Sequence, residues 1–294
     1  MALHIAQTDF MGWREAYRLQ MGDAEMIVVT EVGPRILSLR VTGGPNLLYV
    51  DPSTAGQGQG DVAWHIYGGH RIWVSPESED AYAPDNAHCA VQVSADGLSA
   101  VAPPDPDTKL SKRLTVRADG DRFIVESAVR NTSDFVAAGA VWALTCVVPQ
   151  GVIAFPWGTG GRWAVKRIQW WTAWAGHSSN VRSQQYQAGP DLFVLRPTGE
   201  EGKVGTHSPE GWLALCRADA TFIKSFTPDP FATYPDGGCS VEVYTCASFV
   251  EMETLSPQGI IAPGQELVHR EVWTVRGQAV DPEDGIALRA LLAH

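Results

Sequence analysis

The chain is poor in positive charge. Its 294 residues carry 22 Lys and Arg against 33 Asp and Glu, a formal net charge of −11. That balance gives no basic face for a phosphate backbone and no attraction to an anionic membrane, so neither nucleic acid nor membrane is an expected partner. No apolar run approaches the length of a membrane span. The five cysteines are scattered without a CxxC pair, which argues against a structural zinc site and for reduced, buried thiols. There is no GxSxG elbow, P-loop, dinucleotide fingerprint or HExxH, so the best-marked hydrolases, kinases, oxidoreductases and metalloproteases are set aside. The first ten residues show neither a basic n-region nor an apolar core, and a cytoplasmic protein is expected.

Helical periodicity is also scarce. Only the stretch around 281–292 reads as a helix, with Asp281 as its expected cap. Short strand-like segments recur instead, among them 24–30, 35–41, 90–94, 98–102, 112–117, 122–129 and 192–195. Ala-Asp-Gly at 95 and 118 and Pro-Asp-Gly-Gly at 235 punctuate them, and tight Asp-Gly turns imply antiparallel pairing. With 45% hydrophobic residues, no repeat and no hinge-like linker, the expectation is all-β: one large antiparallel sandwich over residues 1–294 with few short helices.

Acidic side chains fall where a sheet would bury them. In 249–257, alternation puts Glu251 and Glu253 on one face and Val250 and Met252 on the other. In 240–245, Glu242 and Tyr244 share a face opposite Val241 and Val243. Taken singly, each acid reads as the solvated side of an amphipathic sheet. Repeated on consecutive strands, they fit a wet cleft that moves protons or grips hydroxyls.

Two further clusters carry suitable chemistry. Gly68-Gly-His-Arg-Ile-Trp-Val-Ser-Pro-Glu77 supplies His70, Arg71, Trp73 and Glu77 after a glycine pair that permits close backbone approach. Alternation sets Arg71 and Trp73 against His70 and Ile72, so the four reach one site only if the chain bends. Eleven tryptophans offer flat rings for sugar C–H faces; Trp157 leads a group with Trp163, Trp170, Trp171 and Trp174. Lys203 lies before the strand at 212–215 and is placed to reach the cleft, although a lysine is ordinarily a solubilising charge. His269 and Glu271 share a face; two ligands are too few for a metal, and a cross-strand polar network fits them better.

From Tyr234 onward the order of motifs resembles the galactose mutarotase-like (aldose 1-epimerase) superfamily. The carrying segments are Tyr234-Pro-Asp-Gly-Gly-Cys-Ser-Val-Glu-Val-Tyr-Thr245, then Glu251-Met-Glu-Thr-Leu-Ser-Pro257, then Ala262-Pro-Gly-Gln-Glu-Leu-Val-His-Arg-Glu-Val-Trp273. Gly33-Pro-Arg-Ile-Leu-Ser-Leu39 and Asn131-Thr-Ser-Asp134 are similar as well. The resemblance implies an antiparallel β supersandwich with a sugar cleft on one sheet; no cofactor and no metal ligand set is expected, and the sequence leaves metal occupancy open. It implies a Glu base on the anomeric hydroxyl, here Glu253, a His acid toward the ring oxygen, and an arginine on sugar oxygens, here Arg71. The chain departs from the pattern at the acid: Trp142 or Ala143 stands where the histidine is expected. No histidine lies between His88 and His177, so His70 is the nearest substitute and His177 the second.

Three readings follow. One is anomer interconversion by Glu253 and His70, with Trp73, Glu77, Trp157, Lys203, Glu242 and Tyr244 around the sugar. Another is a non-catalytic carbohydrate-binding protein, which the missing histidine favours. The last is glycoside cleavage by Glu253 with Glu77 or Glu242, or β-elimination by a Tyr244-type base. In each the partner is a small sugar or an oligosaccharide. The sequence leaves the oligomeric state open.

Overall fold

The computed structural model describes residues 2–158 and 165–293. Among them, strands form two large antiparallel sheets of eleven and ten strands, with the hairpin Ala173–Trp174 and His177–Ser178 beside them. The all-β expectation holds. The Asp-Gly turns do what their chemistry predicts: Ala90–Ser94 pairs back on Gly97–Val101, and Leu110–Asp119 on Arg122–Asn131. The single described α-helix is Gly285–Ala290. Its cap is Asp284, not Asp281; the Asp284 carboxylate accepts the N–H groups of Ile286 and Ala287, while Asp281 closes the preceding turn.

One contiguous core lies between the sheets. Ile72, Val141, Val241, Val243 and Met252 from the first meet Phe123, Val125, Phe222 and Trp273 from the second. Each such side chain contributes about 1.5–3 kcal/mol by leaving water. The first sheet runs Arg35–Val41, His70–Ser75, Ala137–Val147, Val250–Leu255, Val241–Thr245, Gly202–Thr206 across its middle. Alternation sends Val250 and Met252 into this core and Glu251 and Glu253 to the opposite face.

A polar layer interrupts the core. Lys224 Nζ donates to the carbonyls of Ala143 and Met252 and to Thr145 Oγ1, at 2.9–3.0 Å, and pairs with Glu271 at 3.0 Å. Glu271 also accepts from Thr254 and from the Trp273 indole, and His269 bonds Thr254. His269 and Glu271 are therefore members of a cross-strand network that stitches the two sheets. All five cysteines are free thiols, four of them buried.

Candidate functional site

The outer face of the first sheet carries the chemistry. Antiparallel register sets Arg71 opposite Leu144, Leu144 opposite Glu253, and Glu253 opposite Glu242. The adjacent row runs Cys146, Glu251, Tyr244, Lys203. Long side chains then cross the rows diagonally. Arg71 Nη1 pairs with Glu251 at 2.8 Å, and the guanidinium lies 4.3 Å from the Trp73 ring centre. Lys203 Nζ pairs with Glu242 at 2.8 Å and Glu253 at 3.2 Å, and sits 4.2 Å from the Trp142 ring centre. Gly205, opposite Glu242, leaves the space: a Cβ there would press on Cys239, Glu242 and Trp171.

Above this floor is a cleft of about 200 Å³. Its walls include Arg71, Trp73, Trp142, Trp174, Lys203 and Glu251, with Glu77, Tyr244, His177, Trp64, Tyr82 and Phe249 at the margins. That volume is below the roughly 300–1,000 Å³ of a drug-sized site, and suits a single ring better than an oligosaccharide. Two larger hollows are present, one of about 490 Å³ that shares Trp73 with the cleft and one of about 1160 Å³, and neither holds an ion pair flanked by more than one indole. Indole N–H groups of Trp64 and Trp73 and the Nε of Arg71 have no hydrogen-bond partner among the described residues. On the rim, Glu201 accepts from Tyr244 at 2.9 Å and bonds His177 Nδ1 at 2.7 Å. Burial works against the Glu201 carboxylate, but these two bonds hold it below its ordinary range.

The two carboxylates of Val250–Leu255 have different surroundings. Glu251 reaches the cleft wall, whereas Glu253 is fully buried and does not line it. Trp142 Nε1 donates to Glu253 at 2.7 Å and lies with Lys203 between that carboxylate and the cleft. Burial raises the Glu253 pKa against the pull of Lys203, and raises Glu242 well above the carboxylate range. Burial also opposes charge on Lys203, but Glu242 and Glu253 outweigh it and keep the ammonium charged. Two carboxylates around one cation, out of water, retain one proton between them. The upward push is the stronger on Glu242, since Glu253 has the additional indole donor.

Several sequence expectations need correction. His70 faces the second sheet, not the cleft: its ring bonds Thr145 and Ser127 at 2.9 and 3.1 Å and meets Trp273 edge-on. Burial holds it neutral, with its pKa lowered to about 3. His70 and Glu253 therefore stand on opposite faces of the first sheet, as His70 and Arg71 do by alternation. Of the two histidines considered, His177 is the one at the cleft. Trp142, not Ala143, occupies the cleft face of its strand; Ala143 offers its carbonyl to Lys224 on the other side. Glu242 lies in the floor and does not line the cleft. Trp157 packs on Phe193 and donates to the Gly189 carbonyl, away from the cleft. Trp163 falls outside the described residues.

Arg71, Trp73, Glu77, Lys203 and Tyr244 do line the cleft. The glycine pair before them has φ of +95° and +58°, and a Cβ at Gly69 would overlap the Ile36 carbonyl, so close backbone approach is what it supplies. Sequence reasoning missed Trp64, Tyr82, Phe249 and Glu201. Trp64, Phe249 and Glu201 come from loops and Tyr82 from the short 3-10 turn Glu79–Tyr82, where no periodicity marks a side chain's direction.

No family model matches the chain, and no curated protein matches it. Solved structures do. One is a galactose mutarotase related enzyme from Lactobacillus acidophilus, with a TM-score of 0.61 at 9% identity over 90% of this chain and 99% of that one. Others are galactose mutarotase-like proteins from Lactobacillus casei, with a TM-score of 0.58 at 10% identity over 88% and 99%, and from Clostridium acetobutylicum, with a TM-score of 0.58 at 10% identity over 94% and 99%. At such identities the likeness concerns the path of the backbone, and on that ground the chain has the galactose mutarotase-like fold.

Proposed function

We propose that the protein is a carbohydrate-binding protein that holds one sugar ring in the cleft of the first sheet. The observation that carries this reading is the pairing of Arg71 with Glu251 beneath Trp64, Trp73, Trp142 and Trp174. Indole faces take the C–H surface of a pyranose. The guanidinium and the Glu251 carboxylate take its hydroxyls. The pair of Glu253 with His70 as substitute acid is not supported: Glu253 is sealed under Trp142 and Lys203, and His70 lies on the opposite face of the sheet.

A second reading rests on a different pair. Glu251 and His177 both line the cleft, so slow anomer exchange with Glu251 as base and His177 as acid is the catalytic alternative. Titration with glucose, galactose and mannose, followed by tryptophan fluorescence and ligand-observed NMR, tests binding. Anomer equilibration of α-glucose and α-galactose, followed by polarimetry, tests turnover. Binding without acceleration supports the first reading, acceleration lost in Glu251→Gln supports the second, and neither binding nor acceleration overturns both.

A further inference from the structure

A second hollow, of about 490 Å³, shares Trp73 with the cleft and lies between the segment 74–87, the proline-rich loop 102–106 and the start of the strand Leu110–Asp119. Its volume is that of an ordinary small-molecule site. Trp73, Pro84, Pro104 and Leu110 give it apolar walls. Lys112 enters it from the strand, with its side chain 16% exposed.

The amine is unusual in having almost nothing to hold it. Lys112 Nζ makes no hydrogen bond among the described residues, and its nearest carboxylate oxygen, Asp85 Oδ2, is 3.9 Å away. Asp85 is already committed at 2.5 Å to Arg35, which is fully buried. Two cations thus share one carboxylate, Arg35 fully buried and Lys112 largely so. Burial favours the neutral amine most, Asp85 opposes it, the Arg35 charge adds to it, and Asp105 and Arg71 act more weakly in opposite senses. Desolvation next to another cation is the usual way a lysine becomes a nucleophile at neutral pH.

We propose that Lys112 captures a small aldehyde with an apolar body as a Schiff base in this hollow. The Nζ lone pair of the neutral amine attacks the carbonyl carbon, its two N–H protons pass to the former carbonyl oxygen, and that oxygen leaves as water to give the C=N bond. Nothing is oxidised or reduced. The walls hold the apolar body beside the amine, which raises its effective concentration there.

The test uses the full chain, benzaldehyde and sodium cyanoborohydride at neutral pH, with labelled lysines located by peptide mass mapping over time. Lys112 is expected to gain the benzyl group about tenfold faster than the exposed Lys109 and Lys166, through proximity in the hollow. Unfolding in guanidinium should erase that preference. Lys112→Arg keeps a long basic side chain and removes the nucleophile, so the fast phase should vanish while Lys109 and Lys166 react as before. Labelling of Lys112 at or below the rate of the exposed lysines, preferential labelling of Lys203 in the cleft, or a fast phase that survives in Lys112→Arg overturns the proposal.

Discussion

Trp142 donates its indole N–H to the Glu253 carboxylate at 2.7 Å, between adjacent strands of the first sheet. The ring therefore does two things: it forms cleft wall on one side and satisfies a buried anion on the other. A histidine at this position would present a titratable nitrogen. Tryptophan is a donor only and cannot shuttle a proton. Glu253 is left as the counter-charge for Lys203, and the carboxylate that meets the cleft is Glu251.

Lys203 should matter more to stability than either of its partners. Lys203→Met leaves Glu242 and Glu253 buried without a cation, a loss of about 3–5 kcal/mol at neutral pH. Glu253→Gln should cost less, about 1–3 kcal/mol, because Glu242 can release its proton and take over the pair. Urea denaturation of the two variants checks the order; an equal or reversed cost would disprove the shared-proton arrangement.

Glu242 predicts a pH dependence. Its pKa in the folded protein lies well above the ordinary carboxylate value, so the folded state holds a proton that the unfolded chain has released. By linkage, stability falls as pH rises from the unfolded value, about 4.3, toward the folded one. Glu242→Gln is permanently neutral and should remove this slope, and be neutral or stabilising at pH 8. Denaturation midpoints between pH 5 and 8 decide it, and an unchanged slope counts against the buried proton.

His70 and His177 should separate cleanly. His70 and His269 are buried neutral, with pKa lowered to about 3 and about 4, against about 6.5 when unfolded. Their contribution to stability is present above about pH 6.5 and is lost as pH falls toward 4, by up to about 1.4 kcal/mol per unit for each ring. His70→Asn should flatten part of that acid limb and leave sugar affinity intact. His177→Ala should weaken sugar affinity. Reduced affinity in His70→Asn at full foldedness would return His70 to the site.

Trp174 is half-buried on the hairpin that borders the cleft. Trp174→Ala should weaken sugar binding by about 0.5–1.5 kcal/mol and leave the unfolding midpoint nearly unchanged. Fluorescence titration beside a thermal scan checks both. Unaltered affinity would move the ligand away from this wall.

The sequence alone determined the strands, their antiparallel partners at the Asp-Gly turns, and which residues of each strand share a face. These are local properties: side-chain period, turn chemistry and φ at glycine act over a few residues. Alternation alone had already set His70 against Arg71 and Glu251 beside Glu253. Depth and partnership were decided only by the tertiary structure. Arg71 meets Glu251 from 180 residues away, and Lys203 reaches Glu253 from 50. Two acids with the same spacing, neighbours and face differ because Trp142 and Lys203 cover one and leave the other at the cleft. Burial is a property of everything packed above a side chain, and strands distant in sequence supply that cover.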